Sequence, residues 1–162
     1  MKRVFVFFWI IFSFFLVRLS SAADYGRGME AALQGDYLTA YSEWKQLADQ
    51  NEATPQFQLG WLYEKGLGVN LNYQKAIEWY LRAAEQGYAY AQTALGKMYS
   101  EGRGVQRDLK RAYMWFSISA SLWDPDAKAL QATVTRTMSV TEIQGAQRLA
   151  QECVNKKFKN CG

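Results

Sequence analysis

The chain has 162 residues, 49% of them hydrophobic and 21% charged, with a formal net charge of +4, two cysteines and no histidine. That length suits a single domain, and two thiols without an imidazole leave too few good ligands for a structural zinc site. The missing imidazole also removes the usual general base near neutral pH.

Met1 to Ala22 read as a secretory signal peptide. Lys2 and Arg3 precede an apolar run from Val4 to Phe12 that continues past Ser13 to Val17, and Leu19, Ser20, Ser21 and Ala22 supply small residues for cleavage. The apolar run is about 14 residues, short for a membrane span, and Arg18 closes it; an uncleaved anchor is the alternative. Cleavage after Ala22 or Ala23 predicts an exported chain of about 140 residues, periplasmic or extracellular, with no stable membrane span. Lys2, Arg3 and Arg18 leave with the leader, so 16 basic residues then face 15 acidic ones, a net +1 instead of +4. Near-neutrality offers no basic stripe and excludes a nucleic-acid footprint.

Residues 24–54 predict a short helical hairpin. Its first helix carries Met29, Ala32 and Leu33 and turns at Gly35 and Asp36; its second carries Tyr37, Ala40, Trp44 and Ala48. End units of helical repeats are commonly atypical because one face meets solvent.

Residues 55–89 and 90–123 are two copies of one 36-residue unit. A shift by that period places Gln56 on Gln92, Leu59 on Leu95, Gly60 on Gly96, Tyr63 on Tyr99, Ala76 on Ala112, Trp79 on Trp115 and Ala84 on Ala120. Gln56, Leu59, Gly60 and Tyr63 follow the i, i+3, i+4, i+7 spacing of one buried helical stripe. A glycine inside such a stripe costs about 1 kcal/mol of helix propensity, so its recurrence implies close backbone packing. Gly66 and Gly102 stand where a helix ends in a left-handed cap, Gly68 and Gly104 permit a second turn, and Asn72 and Asp108 are N-cap residues for the second helix. That helix sets Ala76, Trp79, Tyr80 and Ala84, then Ala112, Trp115, Phe116 and Ala120, on one face as core.

These strings, Leu59-Gly60-x-x-Tyr63-x-x-Gly66-x-Gly68-Val69 and Lys75-Ala76-x-x-Trp79-Tyr80-x-x-Ala83-Ala84-x-x-Gly87, resemble the Sel-one-like repeat, a relative of the tetratricopeptide repeat. The resemblance covers roughly residues 25 to 123; the last copy has Trp123 where the closing glycine belongs. It implies an all-α chain, an α/α solenoid of about three hairpins, and a role as an adaptor in protein assemblies.

Residues 124–162 read as a C-terminal cap. Asp124-Pro125 launches a helix to about Thr137, Ser139-x-x-Glu142 has capping-box spacing, and Ile143, Ala146, Ala150 and Cys153 form a narrow apolar stripe on the last helix. Behind a signal peptide, the pair Cys153 and Cys161 is read as a disulfide stapling the Lys-rich end, worth about 2 to 3 kcal/mol in the loop-entropy picture. A redox pair is the alternative, although the spacing is not Cys-x-x-Cys.

Function divides into three classes. The first is a non-catalytic scaffold in the cell envelope whose concave surface, lined by the first helices, grips a segment of a protein partner, with no cofactor. The second is a dedicated neutralising or regulatory binder of a secreted toxin or cell-wall enzyme. The third is a hydrolase of the β-lactamase kind, which the resemblance brings into view but which the absence of histidine, of Ser-x-x-Lys and of cysteines within the repeats disfavours. Glu43, Glu64, Glu78, Glu85 and Glu101 read as solvated helix faces. Phe57, Trp61, Thr93 and Lys97 lie across the first helices from the core stripe and do not recur between copies. That makes them the residues expected to meet a partner, with packing of Phe57 and Trp61 on the first hairpin as the alternative.

Overall fold

Helices follow one another along the chain as the period requires. In the computed structural model residues 25–162 are described, and the expected signal segment lies outside them. Helix α1 (25–33) pairs with α2 (Tyr37–Asp49), α3 (Ala53–Lys65) with α4 (Tyr73–Ala84), and α5 (Ala89–Glu101) with α6 (Leu109–Ser121). Helices α7 (Pro125–Thr135) and α8 (Val140–Asn155) close the array, α8 packing along α6. Among the described residues there is no strand, and no helix is long and apolar enough to cross a membrane.

The recurring residues build each hairpin. Helices α3 and α5 end at Gly66 and Gly102, whose φ angles of 66° and 71° are the left-handed region that glycine enters without strain. The chain then folds back, donating from Asn72 N to Tyr63 O and from Asp108 N to Tyr99 O, both at 2.9 Å. The Asn72 and Asp108 side chains accept from the first free N–H groups of α4 and α6, and Asp36 does the same for α2.

Contacts between hairpins use the period as well. Gln56 and Gln92 are buried, and their amides donate to Ala48 O (3.1 Å) and Ala84 O (3.2 Å), satisfying end carbonyls of the preceding helix. The helical glycines admit aromatic rings. A Cβ on Gly60 would lie 2.5 Å from the Tyr80 ring and one on Gly96 2.5 Å from Phe116, so each ring rests directly on backbone. Gly28 holds the same place under Trp44 in the short first hairpin.

The expected core residues Leu59, Gly60, Tyr63, Ala76, Trp79, Ala84, Leu95, Gly96, Tyr99, Ala112 and Trp115 are buried, whereas Ala120 is partly exposed near the end of α6. Leu33, the last residue of α1, stands 82% exposed. In the cap, Asp124 accepts from Asp126 N and Pro125 opens α7, while Ser139 and Glu142 form the complete capping box of α8. Ala146, Ala150 and Cys153 are buried, Ile143 partly, and Cys153 is joined to Cys161 by a disulfide with Cα atoms 5.5 Å apart.

Candidate partner-binding surface

The open side of α3 carries an aromatic group that the third hairpin lacks. Phe57 is partly buried, with its ring centroid 5.6 Å from Tyr80, 5.3 Å from Tyr88 and 6.4 Å from Tyr90; Tyr88 and Tyr90 meet edge to face at 5.8 Å. Tyr90 remains 55% exposed. Burial raises the Tyr88 phenol above its ordinary range. Trp61 lies one helical turn further along α3, partly buried, and meets Tyr37 of α2 edge on at 6.2 Å. Trp61 thus packs on the first hairpin, whereas Phe57 packs forward onto Tyr80 of its own unit and onto Tyr88 and Tyr90 at the start of α5.

The two residues expected on α5 separate. Lys97 is partly exposed, but Thr93 is only 5% exposed and belongs to the interior. Its hydroxyl lies 2.6 Å from Asp124 Oδ2 and 2.8 Å from Ser119 Oγ, and Ser119 Oγ donates to Ala89 O at 2.8 Å. Thr93, Ser119 and Asp124 stand one period after Phe57, Ala83 and Tyr88. The aromatic contact of the second hairpin is therefore replaced at the same register by a buried hydrogen-bonded group, and Asp124 caps α7 with its other oxygen.

Glu64 corrects a second expectation. Its side chain is 11% exposed rather than solvated, because Tyr80 and a residue of the next unit close over it. Tyr80 Oη donates to Oε2 at 2.7 Å, Arg103 Nη1 donates to Oε1 at 2.9 Å and Lys65 Nζ donates to Oε1 at 3.1 Å. Burial alone would raise the Glu64 carboxyl, but the Tyr80 hydroxyl, Lys65 and Arg103 outweigh it and hold the group below its ordinary value. Tyr80 is pushed far up, first by burial and then by the Glu64 charge. A carboxylate held ionised beside a phenol held neutral is a structural tie, since neither exchanges a proton near neutral pH. No group of three or more His, Cys, Asp or Glu among the described residues is arranged to hold a metal ion.

One backbone feature escaped the sequence pattern. The left-handed position that follows α2, α4 and α6 holds Asn51 (φ 66°), Gly87 (φ 82°) and Trp123 (φ 70°). The turn survives the loss of its glycine, and the Trp123 side chain projects 93% exposed.

Stacked helical hairpins with buried repeat-to-repeat ties define an α/α solenoid. Within it, residues 56–88 and 89–122 are Sel1 repeats, each matching that family. Among solved structures the chain is similar to a protective antigen of uropathogenic Escherichia coli strains that displays an SLR fold, with 27% identity and a TM-score of 0.80 over 87% of this chain and 31% of that one. It is also similar to a Sel1 repeat protein from Oxalobacter formigenes, with 33% identity and a TM-score of 0.64 over 68% of this chain and 47% of that one. The chain thus spans less than half the length of either protein. No curated protein sequence matches it.

Proposed function

We propose that the chain is a non-catalytic interaction scaffold, exported to the cell envelope, whose open face along α3 and α5 holds a segment of a protein partner. Sel1 repeats in general mediate protein–protein interactions, and the matching hairpins carry that role to this chain. The observation that carries the reading is the aromatic group of Phe57, Tyr88 and Tyr90. The group does not recur with the period, and Tyr90 projects from it into solvent. Export is supported by the disulfide, which persists in oxidising compartments, and accords with the antigen character of one structural relative.

The same face would serve a dedicated binder of one secreted toxin or cell-wall enzyme. Affinity capture from the native envelope tests both readings. Several proteins of one assembly recovered together support a scaffold, a single stoichiometric partner supports the dedicated binder, and recovery unaffected by Tyr90→Ala with Lys97→Glu sets both aside.

A further inference from the structure

The last seven residues do more than end α8. After Asn155 the chain turns back through Lys157, Phe158 and Asn160, whose φ angles of 53°, 66° and 54° lie in the left-handed region that side-chain-bearing residues avoid. It then crosses to the second hairpin. The Phe158 ring lies against Gly87, Lys159 Nζ reaches Glu85 Oε2 at 3.4 Å, Asn160 N donates to Glu85 Oε1 at 3.1 Å, and Gly162 rests against Leu81. The tail of the cap is thus seated on the C-terminal end of α4, a helix far from it in sequence.

These contacts are weak by themselves. The Lys159–Glu85 pair is solvent-exposed, at 57% and 30%, and such pairs contribute little. Surface contacts alone hold such a segment loosely, and three departures into the left-handed region within four residues oppose its ordering. What imposes the conformation is the covalent closure from Cys153, 2% exposed in α8, to the partly exposed Cys161.

We propose that residues 156–162 are a reducible latch: the Cys153–Cys161 disulfide holds the tail over Leu81, Glu85 and Gly87, and reduction by an external dithiol releases it and uncovers that end of α4. In the exchange, one thiolate of the dithiol bonds to Cys161 Sγ, the S–S bond breaks and Cys153 leaves as a thiolate that takes up a proton. The second thiol then displaces Cys161, which is protonated in turn, and the dithiol ends as its own disulfide. Two electrons pass to the protein and none are left over. The repeats remain folded, because Phe158 and Cys161 pack on the core only from outside, partly buried, while the buried cluster of the hairpins is built from α1 to α6.

Hydrogen exchange followed by mass spectrometry, on the full exported chain with and without dithiothreitol, tests the latch. Reduction should speed exchange in residues 156–162 by about tenfold or more while α3 to α6 keep their protection, and trypsin should then cut after Lys156, Lys157 and Lys159. The Cys153→Ser, Cys161→Ser double variant should behave as the reduced chain without reductant. In the oxidised protein Glu85→Gln should leave the tail in place. Unchanged exchange at the tail after reduction, equal loss of protection throughout α3 to α6, or release of the oxidised tail by Glu85→Gln would each overturn the proposal.

Discussion

Thr93 and Asp124 are joined by a 2.6 Å hydrogen bond at the register where the Phe57 and Tyr88 rings meet one unit earlier. The exchange marks where repetition ends. Asp124 caps α7 with one oxygen, and its second, buried oxygen takes the Thr93 hydroxyl, a donor that a phenylalanine at position 93 would lack. Thr93→Val, nearly isosteric, removes the donor and should destabilise the chain by about 1 to 3 kcal/mol, whereas Thr93→Ser should retain most of the stability. Denaturant midpoints of the two variants check this.

Glu64 predicts a pH dependence with a definite sign. Its folded-state carboxyl is held below the ordinary value of 4.5, so its contribution is complete above that value and is lost as pH falls through the lower folded one. Glu64→Gln should therefore lose less stability than the parent chain between about pH 6 and pH 3. Parallel slopes in urea melts across that range would remove Glu64 from the account. Asp36 and Glu142 are also lowered, by hydrogen bonds at helix starts, but they contribute equally to both chains.

The ring-on-glycine contact is tested by adding one methyl group. Gly60→Ala places its Cβ 2.5 Å from the Tyr80 ring and should cost about 1 to 3 kcal/mol as the ring is displaced. Gly26→Ala, with nothing within 4 Å, should alter stability by no more than about 1 kcal/mol. Thermal melts of the pair separate close packing from helix propensity.

Trp123 should be improved by losing its side chain. At φ 70° and 93% exposed, the indole strains the backbone and buries almost nothing. Trp123→Gly restores the residue found at Gly87 and should raise stability by about 1 kcal/mol, read as a higher melting temperature. A fall instead would show that the indole is held by the fold.

The hairpins are legible in the sequence because each requirement recurs: a stripe for burial, glycine for the left-handed cap, Asn72 or Asp108 for the next start. The partner of each helical glycine is not legible, since Tyr80 and Phe116 arrive from the second helix of the unit, and Gly28 under Trp44 lies in a hairpin too short to align. Glu64 reads as surface because its position on α3 says nothing of Arg103, which comes from the following turn. Thr93 reads as surface for the same reason, although its clue was present: Thr93, Ser119 and Asp124 all depart together from Phe57, Ala83 and Tyr88. Cys153 and Cys161 show their pairing in sequence, but not the crossing of the tail to Glu85.

The open face of α3 and α5 is the centre of the proposed function, and Trp61 is a poor probe of it because the ring packs on Tyr37. Tyr90 and Lys97 are the cleaner pair. The most direct measurement is quantitative affinity capture from the native envelope with the parent chain and with a Tyr90→Ala, Lys97→Glu variant shown to melt at the same temperature. The account predicts that the parent enriches one or more proteins and that the variant recovers about tenfold less of them, the loss expected when an interface anchor is removed. Equal recovery by both chains would contradict it.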